Sequence, residues 1–310
     1  MIPKLHGEYL RTRRRRRASL HSVHPDSLVD IHELSPDEVV IHSFIPKCEV
    51  TVTQSRPWNR CLPQTARGWV QDGAVDNSVD RLQALALLTE LQREFAVTIA
   101  DVDLDAPVPW CGEWRGADLV EHLAGVHHWA AAQARSQDEG PLPPAADLTE
   151  HYRWCAAELA ETLAVLDPDQ PARTLVPDGR VGFWYRRQLH ETLVHLWDIR
   201  TAGRLSLAVD ARIWADTVEE VVTVMHPRQV RLGRARPPSA RIALVADDVG
   251  REWTMLAAPE ASLAPAVSVT GSAEALALLL WCRTDLDDRR LTVTGDRQLL
   301  AAVLSGRVVP

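Results

Sequence analysis

Gln188-Leu-His-Glu-Thr-Leu-Val-His-Leu-Trp-Asp-Ile199 reads as one helix with unlike faces. Leu189, Leu193, Leu196 and Ile199 recur at helical spacing on faces that can pack. Glu191 and His195 stand four residues apart, so their side chains lie one turn apart on a single face. Trp184, Gln188 and Asp198 continue that face. A carboxylate and an imidazole placed this way can reach one divalent ion and supply half of a metal site. Spacing alone favours an ordinary Glu–His ion pair on a helix surface, and a metal site needs a third ligand from another helix.

This helix covers about 183–202. A loop punctuated by Pro168, Pro171, Pro177 and Gly179 precedes it, and Gly203 stops it. Upstream, Leu82, Leu85, Leu87, Leu88, Leu91 and Phe95 mark a helix over about 79–102. Two more are expected over about 116–134 and 148–166, separated by Pro-rich breaks. Four amphipathic helices joined in this way predict a four-helix bundle over 79–204. After Gly203 the pattern changes. A helix over about 210–225 is followed by β-like runs at 240–246, 252–258 and 266–270, a helix at 272–282, a strand at 291–294 and a helix at 296–304. Residues 205–310 therefore read as a small α+β domain, and the fold class is α+β.

The second helix contains Asp118-Leu-Val-Glu-His-Leu-Ala-Gly-Val-His-His-Trp129, with three histidines. His122 shares a face with Asp118, Gly125 and Trp129, and Gly125 would let a neighbouring helix come close. His127 and His128 project elsewhere and read as surface or supporting groups. On its own, His122 reads as a hydrogen-bonded core histidine.

Composition narrows the field. Of 310 residues, 46% are hydrophobic and 25% charged, which is ordinary for a globular protein. No apolar run approaches the 18 or so residues of a membrane-spanning helix. Five scattered cysteines, with no Cys-x-x-Cys pair, argue against a disulfide scaffold or zinc ribbon and fit a reducing compartment such as the cytoplasm. Residues 1–75 carry 11 Lys+Arg and 8 Asp+Glu, a net of +3, whereas the remainder carries 23 and 34, a net of −11. The acidic body is a poor general binder of nucleic acid. The Arg13–Arg17 run is not followed by the apolar segment an export signal needs. Residues 1–75 therefore read as a disordered extension with at most one short strand, over 38–44, or as upstream DNA translated through a misplaced start, with Val79 as the alternative start. Deleting residues 1–75 is expected to leave folding and metal binding intact, which circular dichroism and metal analysis of the shortened chain would check.

The residues Val108-Pro-Trp-Cys-Gly-Glu-Trp114, Asp118–Trp129 and His190-Glu-Thr-Leu-Val-His-Leu-Trp-Asp198 together resemble the mycothiol-dependent maleylpyruvate isomerase family. So do Val269–Arg283 and Leu291–Asp296. The resemblance covers about 80–308 and implies a DinB-like metal-binding bundle followed by a sterol-carrier-protein-like domain. It places three metal ligands on His122, Glu191 and His195, with zinc as the expected ion, and implies mycothiol as thiol cosubstrate. In the family reaction the thiolate adds to the cis double bond of maleylpyruvate, and rotation and loss of the thiol give fumarylpyruvate. The thiol belongs to the cosubstrate, so Cys111, Cys155 and Cys282 read as structural. Two departures stand out. Gly112 occupies a position where the family usually has Pro, and Cys282 one where Gly is common. An anionic small-molecule substrate needs cationic partners. Arg283 is the first candidate, reaching over the metal from the second domain, with Arg186 and Arg187 as alternatives. The expected state is a monomer or weak dimer that engages neither membrane nor nucleic acid. A thiol S-transferase acting on other electrophiles, and a non-catalytic metal- or ligand-binding protein, are the rival readings.

Overall fold

The structure, a computed structural model, describes residues 38–45, 48–53, 81–142, 144–255, 264–306 and 308–309. In the N-terminal stretch it holds two paired strands, β1 (Glu38–Ile45) and β2 (Cys48–Thr53). The sequence predicted only the first. The second, Cys-Glu-Val-Thr-Val-Thr, carries the period-two alternation of a strand over a short span. The other expectations for residues 1–75, and Val79, fall outside the described residues.

The four expected helices are α1 (Arg81–Asp101), α2 (Gly116–Ala134), α3 (Leu148–Val165) and α4 (Gly182–Ala202). Helix α1 packs against α3 and α4, and α2 packs against the same two. Leu88, Phe95, Leu119, Leu123, Leu159, Leu163, Leu189, Leu193 and Leu196 are fully buried between them. Short polar side chains fix the helix starts. Asp147 accepts from the Glu150 N–H at 2.8 Å, and Asp118 accepts from the Arg115 N–H at 2.9 Å.

The second region begins with α5 (Ala211–Glu220), a π-turn (Val221–Met225) and α6 (His226–Arg231). The sequence placed the end of this helix at about Met225; instead the helical path runs on through the π-turn to Arg231, with Pro227 in the first turn after it. A four-stranded sheet in the order β4-β3-β5-β6 follows, built from β3 (Ile242–Ala246), β4 (Arg251–Met255), β5 (Val267–Gly271) and β6 (Leu291–Gly295). β3 pairs antiparallel with β4 and parallel with β5, and β5 pairs antiparallel with β6. Helix α7 (Ala273–Leu280) contacts β3 and β5 as well as α5, and α8 (Arg297–Leu304) contacts β5. Contact with both the sheet and α5 explains why the α7 sequence is apolar almost all round.

The end of α7 aims a residue at the bundle. The Arg283 N–H donates to Leu278 O at 2.7 Å and the Cys282 N–H to Leu279 O at 3.0 Å, the bonding of a Schellman cap. Cys282 sits at φ 58°, in the left-handed region that favours glycine. The cap thus keeps the form glycine would give, at a conformational cost of roughly 1–2 kcal/mol. Cys282→Gly is expected to stabilise the chain by roughly 0.5–1 kcal/mol after the greater freedom of unfolded glycine is subtracted. A thermal melt of the variant would read this as a small rise in Tm.

Helix α4 is tied to α5 by buried polar groups. His190 contacts Asp216 Oδ2 through Nε2 at 2.8 Å and Thr217 Oγ1 through Nδ1 at 2.8 Å. Arg186 adds two bonds of 2.9 Å to the Asp216 carboxylate. Burial would raise the Asp216 carboxyl, but His190 and Arg186 outweigh it and hold it at about 2. The folded value lies below the unfolded one of about 3.9. The pairing therefore stabilises above pH 4 and is lost as pH falls toward 2, a contribution of about 2–3 kcal/mol. Thermal melts across this window should show a decline that Asp216→Asn flattens.

Candidate metal centre

Three side chains from two helices converge. His122 on α2 and Glu191 and His195 on α4 each offer one ligand atom, and these atoms lie within 4.8 Å of one another. Both imidazoles address a single carboxylate oxygen. Glu191 Oε1 is 3.7 Å from His122 Nε2 and 3.2 Å from His195 Nε2. The rings of His122 and His195 stand edge to face, with centroids 5.1 Å apart. Trp114 packs over His122 at 4.8 Å.

A layer of charged groups holds this geometry. His195 Nδ1 bonds Asp198 Oδ2 at 3.0 Å, one turn along α4, which fixes the ring and leaves Nε2 facing the cluster. Glu191 Oε2 accepts from Arg187 Nη2 at 2.6 Å, so one carboxylate oxygen is committed to Arg187 and the other faces the imidazoles. Arg187 also pairs with Glu220 on α5 and lies over the Trp281 ring, its guanidinium carbon 5.1 Å from the centroid. Burial would raise the Glu191 carboxyl, but Arg187 and the bonds to His122 and His195 hold it well below the usual carboxylate range. Burial pushes His122 down, toward the neutral imidazole that can ligate. For His195, burial is outweighed by Asp198 and Glu191, which raise it.

These residues fit a divalent ion. Two imidazole nitrogens and a carboxylate oxygen point at one small volume, their outer atoms are fixed by other side chains, and a tetrahedral ion would keep its fourth position open. No other such cluster of histidine, cysteine and carboxylate groups occurs among the described residues.

The profile of the mycothiol maleylpyruvate isomerase N-terminal domain matches residues 85–200, and that of the family's C-terminal domain matches 212–302. Together they cover more than half of the chain. The chain belongs to the mycothiol-dependent maleylpyruvate isomerase family. Among solved structures, a mycothiol-dependent maleylpyruvate isomerase is similar at 12% identity with a TM-score of 0.49, over 69% of this chain and 92% of that one. A mutant of an enzyme so named gives 13% identity and a TM-score of 0.45, over 64% and 88%. No curated protein matches the chain in sequence.

Within this maleylpyruvate isomerase fold, several residues have surroundings the sequence did not suggest. Arg283 does arrive from the second domain. Its guanidinium, however, is bonded to Asp198, at 2.9 and 3.2 Å through Nε and at 2.8 Å through Nη2, and to Trp281 O at 2.8 Å through Nη1. Arg187, read as an alternative cationic partner for the substrate, is buried and supports Glu191, and Arg186 is committed to Asp216. His127 and His128 are buried rather than on the surface. His127 Nδ1 bonds Gln188 Oε1 at 2.9 Å, while His128 bonds Glu158 at 2.6 Å and Gly140 O at 2.9 Å. Gly125 makes no close approach, since a Cβ there would meet nothing within 4 Å. Gly112 has φ 66°, which proline cannot adopt, so the turn differs from a Pro-containing one. Cys111 Sγ lies 3.7 Å from Asp198 Oδ2, and burial and Asp198 push its thiol up to about 12. Burial likewise takes Cys155 to about 12, so neither is a thiolate at neutral pH. The residue that sequence reasoning undervalued is Asp198. Its spacing of three from His195 was the available signal.

Proposed function

We propose that the chain is a metal-containing, thiol-dependent cis–trans isomerase of a small electrophilic anion. The type reaction is maleylpyruvate to fumarylpyruvate, with mycothiol as the thiol and zinc held by His122, Glu191 and His195. The observation that carries this reading is the convergence of those three ligand atoms within 4.8 Å, in a chain whose two regions match both domains of the family. A bound divalent ion would supply a lowered thiol pKa, so that thiolate is present at neutral pH. The protein's own groups do the positioning. Asp198 orients His195, Arg187 orients Glu191, and Trp114 packs against the His122 ring. Arg283 acts here as a positioning residue, through Asp198. Cys111 and Cys155 stay protonated and leave nucleophilic work to the cosubstrate.

The test is turnover of maleylpyruvate by the zinc-loaded chain with and without mycothiol. Isomerisation that needs both supports the reading. Thiol consumption with formation of a stable adduct would point instead to an S-transferase, and isomerisation unaffected by omitting the thiol would overturn it.

A further inference from the structure

Arg228 on α6 is a buried cation with too few partners. Its side chain is 5% exposed, its Nε donates to Leu175 O at 2.8 Å, and its Nη1 meets no acceptor. It forms no ion pair among the described residues. Its charged surroundings are Arg234, Arg231 and Arg187, all of like sign. On the same short helix, the fully buried amide of Gln229 has neither its oxygen nor its nitrogen bonded, and buried His226 has an unbonded Nε2.

Burying an unpaired guanidinium is expensive, and natural interiors satisfy such groups or leave them for a ligand. Burial, followed by the neighbouring arginines, takes Arg228 down to about 10, so it stays charged at neutral pH. Its electrostatic neighbour Arg187 differs, because Glu191 and Glu220 neutralise it. Arg187 in turn bonds the Glu191 carboxylate of the metal centre at 2.6 Å. The π-turn Val221–Met225 directly precedes α6 and shifts the register of the side chains that follow. Such turns recur at functional sites.

We infer that Arg228 is the anion-binding residue of a subsite beside the metal centre, taking a carboxylate of the small-molecule ligand on its free Nη1 edge, with the Gln229 amide available as a further donor. A guanidinium offers a carboxylate a planar, forked set of donors, which fits a group otherwise surrounded by positive charge. The choice of carboxylate rests on the isomerase reading; the anion site itself does not.

The test is titration of the full-length, zinc-loaded chain with maleate by isothermal calorimetry, with inorganic phosphate as a second probe. Wild type should bind maleate, and more tightly than phosphate. Arg228→Gln should weaken maleate at least fivefold with zinc content unchanged, and Arg212→Gln, at an exposed arginine, should leave affinity as it is. A wild type that ignores maleate, or an Arg228→Gln chain that binds it less than fivefold weaker, overturns the subsite. Tighter binding of phosphate overturns the carboxylate assignment. Should Arg228→Gln fail to fold, Arg228→Lys keeps the charge but loses the fork, and the same fivefold threshold applies. Because the readout is binding, loss of the subsite is distinguishable from absence of isomerase turnover.

Discussion

Replacing His122, Glu191 or His195 by alanine, one at a time, is expected to abolish stoichiometric retention of a divalent ion. Each supplies one of only three protein ligand atoms gathered within 4.8 Å. With two left, water competes for the ion, and affinity should fall by at least about a thousandfold, or about 4 kcal/mol. Glu191→Ala carries a second penalty, since it removes one of the two carboxylates that neutralise buried Arg187. His127→Ala and His128→Ala are the controls. Their rings bond Gln188, and Glu158 with Gly140, so both variants should keep the ion even if they lose stability. Metal analysis of the purified variants decides the matter. Retention of about one ion per chain in any two of the three ligand variants would show that the ion is held elsewhere.

The second large effect is expected at Asp198. This fully buried carboxylate takes three contacts from Arg283 and one from His195 Nδ1. Burial would raise it, but Arg283 and His195 outweigh that and keep it ionised. Asp198→Asn removes the countercharge and strands the Arg283 guanidinium, a change that costs about 3–5 kcal/mol for a buried pair. For a chain of this size that is a fall in Tm of roughly 5–8 °C. It should also weaken metal binding about 10–100-fold, because His195 loses the partner that fixes its orientation. Arg283→Lys keeps the charge without the forked geometry and should cost less than Asp198→Asn in both readouts. Calorimetric melts and zinc titrations of the two variants would check the order. An Asp198→Asn chain that melts with wild type would mean that the pair contributes nothing to holding α7 on the bundle.

Much of the fold could be read from periodicity. The helix 183–202 and its three predecessors carry strong 3.6-residue patterns bounded by Pro and Gly, and the structure places α1 to α4 within a few residues of the expected ends. The strands β3 to β6 and helices α7 and α8 fall on the β-like runs and helical stretches expected after Gly203. What escaped were features whose periodic signal was short or interrupted. The continuation of α5 through a π-turn into α6 has no signal of its own, because a π-turn breaks the 3.6-residue period on which the reading relied. Strand β2 is only six residues long and lies among Pro and Ser breaks.

The centre was legible in part. The four-residue spacing of Glu191 and His195 put them on one face, but nothing in the spacing brought His122 to that face. The family resemblance supplied that residue, and helix packing brings it within reach. The arginines could not be assigned because their roles depend on long-range partners. Arg283 and Asp198 are 85 residues apart in sequence, and Arg187 and Glu220 are 33 apart. Sequence gives a guanidinium its charge but not its counterion. For the same reason the burial of His127 and His128, and the isolation of Arg228, emerged only from the packing.

Whether the centre holds both metal and thiol is decided by native mass spectrometry of the full-length chain after incubation with zinc and mycothiol. One zinc per chain is expected, with one mycothiol retained only when zinc is present and neither retained by Glu191→Ala. A wild-type chain that keeps no zinc, or that holds mycothiol equally well without it, would contradict the assignment of His122, Glu191 and His195 as a thiol-binding metal centre.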